Sequence, residues 1–240
     1  MARSFGLVED KVYETDFFLE KLKETENRFE ASCYLSAFVS AARSITFALQ
    51  ASMSDVAGFS EWYQNKQESM RHNTLAKFFV TARNESQKLG IYHIDSGVSY
   101  REIDGTRRTK FFFRNLSRKI DNPREHTIKH DLTEDVQEEE DIATLCERYL
   151  TMLVELIYDC FKTFGPIIDP AQYYTPENLN RIGKSIEDVE VELGFPRGWT
   201  KSIPDEERTR LLRESEPDSY IDDILIKYLK KDRFGRTHDI

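Results

Sequence analysis

Apolar residues recur at helical spacing through most of the chain. From Thr15 to Ser52 there is neither proline nor glycine, and Leu35, Phe38, Val39, Ala42, Ile45, Thr46 and Leu49 form one stripe. Leu19, Leu22 and Phe29 set an earlier stripe in the same stretch, which reads as one long helical segment. Small residues between them (Ala31, Ser32, Ala37, Ser40, Ala41) let a neighbouring helix approach closely. Gly58 interrupts the pattern, and Ser60 is placed to cap a short helix carrying Trp62, Tyr63 and Met70. Asn73 is placed to cap a third helix with Leu75, Phe78, Phe79 and Ala82, stopping near Gly90.

After Gly90 the period falls to two. Val98–Ile103 and Thr106–Phe113 flank Asp104-Gly105, a strong hairpin signal. A two-residue turn there sets Glu102 opposite Arg107, an opposite-charge cross-strand pair. A polar loop passes through Asn122-Pro123, and Thr133 then caps a helix whose first turns hold Glu134, Asp135, Glu138, Glu139 and Asp141. Its apolar face runs from Ile142 through Leu145, Tyr149, Leu153, Leu156 and Cys160 to Phe164, and Gly165-Pro166 is the expected stop. Further on, Thr175-Pro176 opens a helix predicted to reach Leu193-Gly194, with proline at its first position. Ile203–Glu214 and Ser219–Lys231 read as two more short helices, separated by Pro217. The predicted fold is mainly α: an antiparallel helical bundle with an inserted β-hairpin and a helical C-terminal appendage. The expected division is a bundle over residues 1–165, including the hairpin at 97–113, and an acidic appendage over 166–240.

Composition agrees with this pattern. The chain has 240 residues, 39% hydrophobic and 32% charged, with 16 Phe and 11 Tyr to fill a core. No run approaches the roughly 20 uncharged apolar residues of a membrane span, and Met1–Asp10 lack the apolar region of a signal peptide. Cys33, Cys146 and Cys160 form no CxxC pair and read as small core residues of a reducing cytoplasm. Net charge is -9 but unevenly spread, for residues 1–120 carry 18 basic and 15 acidic side chains and residues 121–240 carry 16 and 28. The N-terminal half is therefore able to meet a polyanion that the whole chain would repel. The alternative is an acidic tail that serves solubility alone.

Tyr34–Gln50, Trp62-Tyr63 behind it, and Lys77–Glu85 on the third helix together resemble the HEPN superfamily, over about residues 15–165. Those proteins are small helical bundles of bacterial defence and toxin–antitoxin systems, and many are metal-independent ribonucleases. The resemblance implies a homodimer paired through the motif helices, with RNA or a partner protein as ligand. Its ribonuclease signature is an Arg, usually followed by a polar residue, and a His after four to six intervening positions. Arg83-Asn84 match the beginning, but Lys88, Leu89 and Gly90 stand where the His belongs. That loss removes the chemistry, because attack by an RNA 2′-hydroxyl needs a base of suitable pKa and an arginine cannot provide one. His93, three residues past Gly90, is the substitute base if one exists. Three readings follow: a binding or regulatory module without ribonuclease activity, a ribonuclease using Arg83 with a non-standard base, or a structural interaction protein without ligand.

Outside the motif, the hairpin region is the leading nucleic-acid candidate. Arg101, Arg107, Arg108, Lys110, Arg114, Arg118 and Lys119 interleave with Tyr100, Phe111, Phe112 and Phe113. Cations for phosphates beside rings for bases suit single strands, whereas basic residues also protect a sheet edge while phenylalanines face a core. Arg43 lies at the edge of the buried stripe, where an ion pair with a carboxylate such as Glu85 would fix helix pairing. The Arg124–His130 and Arg233–His238 spacings fall in a loop and at the terminus and read as accidents. His126 and His130 have a zinc-like spacing, but Pro123 and Thr133 place them in a loop with no third ligand. With 10 Gly and no glycine-rich phosphate loop, no nucleotide cofactor or metal is expected.

Overall fold

The computed structural model describes residues 2–89, 94–113, 140–214 and 219–239. Among them the fold is mainly α, ten helices and one two-stranded antiparallel sheet. The chain divides into two compact units, Asp10–Leu153 and Met1–Glu9 with Val154–Ile240.

The long N-terminal stretch is two helices, not one: α1 (Gly6–Glu24) and α2 (Arg28–Met53). Local side-chain bonds break it. The Asn27 carboxamide accepts from the amides of Phe29 and Glu30, and the Thr25 hydroxyl accepts from Asn27 N while donating to Glu30 at 2.7 Å. Such short polar groups offer the backbone a cap in place of another helical turn. Helix α3 (Phe59–His72) starts at Gly58 (φ 79°) with no side-chain cap bond, and Ser60 lies inside the helix instead of capping it. Helix α4 (Thr74–Leu89) does start at Asn73, which accepts from Ala76 N at 2.9 Å.

Strands β1 (Ile94–Arg101) and β2 (Arg107–Phe113) form the inserted hairpin, but its register differs from expectation. Arg101, not Glu102, faces Arg107. A two-residue turn would need left-handed backbone at both Asp104 and Gly105. Only Gly105 adopts it (φ 85°), so the loop takes in Ile103 as well, closed by Glu102 N donating to Thr106 O at 2.8 Å. Arg107 finds its carboxylate elsewhere, 3.1 Å away on Glu26.

The predicted start of the next helix at Thr133 lies outside the described residues. Glu140 and Asp141 are not helical, and α5 runs Ile142–Ile168. Asp141 accepts instead from Phe111 N at 3.1 Å, tying the helix start to β2. Gly165-Pro166 does not end α5, because Asp169 N still donates to Gly165 O and the helix closes two residues later. Asp169 then caps α6 (Pro170–Tyr173). Thr175 and Pro176 open α7 (Pro176–Arg181) as expected, but the helix stops before Gly183 (φ 69°), with Lys184 N reaching back to Leu179 O. The remainder of that predicted helix is α8 (Ile186–Glu192), started by a reciprocal Ser185–Asp188 capping box. Helices α9 (Asp205–Glu214) and α10 (Ile221–Leu229) follow.

In the Asp10–Leu153 unit, α2 packs on α4 and β1, and α3 on α4. Phe38 meets Phe79 edge-on at 6.0 Å, and Phe79 stacks on Tyr149 at 4.5 Å. The fully enclosed Leu19, Leu22, Ile45, Leu49 and Met53 complete this core. Helix α2 is long and apolar enough to cross a membrane by length and composition, and half of that apolar window is buried as in a core helix. Cys146 is buried as expected and its thiol is pushed up by burial, whereas Cys33 is exposed.

The second unit relies on shorter elements. Phe5 packs edge-on against Phe161 at 5.2 Å, and Arg3 N donates to Ile167 O. Tyr173, Tyr174, Leu179, Ile186 and Val189 form its apolar cluster. Around Glu190 the backbone amides of Gly198, Trp199 and Thr200 converge on one carboxylate, which also receives Arg208 at 3.0 Å. Burial alone would push Glu190 up, but these donors overcome it and hold its carboxyl down at about 2.

Candidate functional site

Helix α4 carries the motif residues Arg83 and Asn84 side by side. Arg83 is half-buried, and its Nη1 donates to the Asn84 carboxamide at 3.3 Å. Its Nε is buried with no acceptor among the described residues. One turn on, the Ser86 hydroxyl bonds to that of Ser36 at 2.9 Å and joins α4 to α2. His93 lies outside the described residues, as do Arg124, His126 and His130. The two described histidines are engaged with carboxylates, His72 with Glu68 and His238 with Asp232. Arg233 meets Asp169 and Asp222, so it and His238 serve different acids. No described base is bonded to Arg83.

The hairpin has two chemically different faces, because side chains alternate along a strand. On one face Phe111 is buried, and its ring crosses Gly97 so closely that a Cβ there would stand 3.0 Å from it. Phe113 meets Phe78 of α4 at 4.8 Å. On the other face Val98 pairs with Lys110 and Tyr100 with Arg108. Val98 and Tyr100 are exposed, and the Lys110 ammonium lies 5.3 Å from the Tyr100 ring centre. Arg101 and Arg107 fall on the first face at the exposed tip, where Arg107 is held by Glu26. The basic cluster read from sequence is thus divided: Arg108 and Lys110 share a face, Arg101 and Arg107 share the opposite one, and Arg114, Arg118 and Lys119 lie outside the described residues.

Arg43 on α2 is not paired with any described carboxylate; Glu85's side chain lies outside the described residues. Its guanidinium lies over the Phe47 ring at 4.4 Å and donates to the Thr46 hydroxyl at 3.2 Å. It lines a cleft of about 390 Å³ together with residues of α3, α4 and α5. Sequence reasoning named Tyr63, Lys77 and Tyr149 as parts of their helices but did not bring them together with Arg43. Helical periodicity marks these positions as core or surface, and no local pattern brings four helices to one point. Among the described residues no group of three or more His, Cys, Asp or Glu is placed to hold a metal ion.

These features define a mainly helical bundle with an inserted basic–aromatic hairpin. Residues 23–108, from the end of α1 into β2, match the family described as Bacteriophage lambda protein ea47. No curated protein and no solved structure matches the chain.

Proposed function

We propose that this chain is a HEPN-like binding module without ribonuclease chemistry, and that its ligand is single-stranded RNA taken up on the outward face of the hairpin. The observation that carries this reading is the pairing of Tyr100 with Arg108 beside Lys110 on one exposed face. Two cations flanking an exposed ring suit phosphates on either side of a stacked base. Loss of the motif histidine from the Lys88–Gly90 window supports the absence of cleavage, since Arg83 can stabilise phosphate charge but cannot accept the 2′-hydroxyl proton. The same reading includes a symmetric dimer through α4, which light scattering at micromolar concentration tests directly.

The experiment is titration of a labelled single-stranded RNA with the full chain at two salt concentrations, with product analysis in the presence of EDTA. The wild type is expected to bind with a steep salt dependence and leave the RNA intact. The Arg108→Ala/Lys110→Ala double variant should reduce the slope of log affinity against log salt by about 1.4, at about 0.7 per lost phosphate contact on a single strand. Equal binding by both proteins overturns the hairpin as the interface. Cleavage that disappears in Arg83→Ala overturns the absence of catalysis.

A further inference from the structure

The cleft containing Arg43 lies wholly within the Asp10–Leu153 unit, walled by α2, α3, α4 and α5. Its volume of about 390 Å³ suits a small organic molecule. Met70, Ala76, Val80 and Leu153 give it apolar walls. Its charged lining is one-sided among the described residues, for Arg43, Arg71 and Lys77 face it and no described carboxylate does. Arg71 is engaged on the surface with Glu68 at 3.3 Å. Arg43 and Lys77 have no carboxylate partner among the described residues.

Arg43 is also held in place. The Phe47 ring supports one face of its guanidinium and the Thr46 hydroxyl accepts from one Nη1 hydrogen, which leaves other N–H groups of the fork for a ligand. Tyr63 is fixed by stacking on Phe59 and by the Gln50 carboxamide, which donates to its hydroxyl at 3.1 Å. Tyr149 is fixed by stacking on Phe79. Burial pushes the Tyr149 phenol up to about 12 and raises Tyr63 as well, so both remain neutral and bring no negative charge to the cleft. A half-enclosed cation fixed by its own neighbours, in a cleft with no acid among its described lining residues, is suited to an anion from outside the chain.

We propose that this cleft binds a small organic anion, with its phosphate or carboxylate held by Arg43 and Lys77 and its apolar body against Met70, Val80 and Leu153. The site is separate from the RNA surface, since Arg83, Tyr100, Arg108 and Lys110 do not line it.

The test is calorimetric titration of the full chain with adenosine 5′-monophosphate, 4-phenylbutyrate, adenosine and inorganic phosphate. At least one of the two organic anions should bind with a Kd of about 1 mM or tighter. Tighter binding of the nucleotide assigns a phosphate ester as ligand, and tighter binding of phenylbutyrate assigns a carboxylate. Adenosine and inorganic phosphate, each lacking half of the recognised chemistry, should bind at least about tenfold more weakly. Arg43→Gln should weaken the better anion at least about tenfold and Arg43→Lys less so. Lys77→Gln, at an exposed position that leaves the fold unchanged, should also weaken it severalfold with an unaltered melting temperature. Failure of both organic anions to bind, undiminished binding by Lys77→Gln, or loss of binding in Arg108→Ala/Lys110→Ala would each overturn the proposal. The last outcome would move the anion to the hairpin; weak RNA binding alone would leave this site untouched.

Discussion

Arg43 in the Asp10–Leu153 unit, half-buried, and Arg208 in the other unit, buried, are both helical arginines, yet their surroundings are opposite. Arg208, with its side chain 4% exposed, meets Glu190, Glu187 and Asp205, all within 3.0 Å. Arg43 meets a phenylalanine ring and a threonine hydroxyl. In the first case every strong partner lies in the same chain, and the charge belongs to the fold. In the second no described carboxylate is a partner, which is the basis for proposing a ligand there. Several described carboxylates of the acidic C-terminal half are likewise engaged in caps and ion pairs, such as Ser185–Asp188 and Arg236–Asp232.

The sharpest way to break this comparison is to truncate both arginines. Arg208→Met leaves Glu190 buried without its cation and should lower stability by about 3–5 kcal/mol in urea denaturation. Arg43→Met strands no described carboxylate and should cost about 1 kcal/mol or less. Equal losses would show that Arg43 is a structural residue like its counterpart.

The hairpin offers the same contrast across one strand pair. Phe111→Ala removes a buried ring and should cost about 3 kcal/mol. Tyr100→Ala on the exposed face should leave the melting temperature nearly unchanged while weakening single-stranded RNA binding by about 1–3 kcal/mol. A stability loss at Tyr100 without loss of RNA affinity would assign both faces to packing.

Acid should unsettle the second unit through groups whose folded pKa is depressed. Glu190 and Asp232 are both held at about 2 against ordinary values of 4.5 and 3.8. At Asp232 burial again opposes the shift and is overcome by bonds from Arg236 and His238. Their unfolded forms bind protons first, so the stabilisation is complete above the ordinary values and is lost as pH falls toward 2. Melting temperatures measured from about pH 6 down to pH 2 should fall, and Glu190→Gln should start lower and fall less steeply. An unchanged slope would mean that Glu190 does not carry the acid sensitivity. The smallest expected effect is at the motif itself: Arg83→Ala should leave RNA cleavage at background, measured by product analysis of the same RNA, because the wild type has no motif histidine to lose.

Local pattern by itself determined that the chain is mainly helical, that a hairpin interrupts it, and where Asn73 and Thr175-Pro176 start helices. These features depend on residues within a turn or two of one another. It misplaced the break at Thr25–Asn27 because a long apolar stripe hid a polar cap inside it. The Asp104-Gly105 register was misread because one more loop residue exchanges the partner of every strand position. That Arg83-Asn84 is followed by Lys88, Leu89 and Gly90 and by no histidine in that window is a matter of spacing and was legible in the sequence. Which cations have partners was decided only by tertiary structure. Arg107 finds Glu26, Arg208 finds Glu190 and Glu187 beyond its sequence neighbour Asp205, and Arg43 meets no described carboxylate. An ion pair depends on distances of a few ångströms between segments far apart along the chain, and only their packing sets those distances.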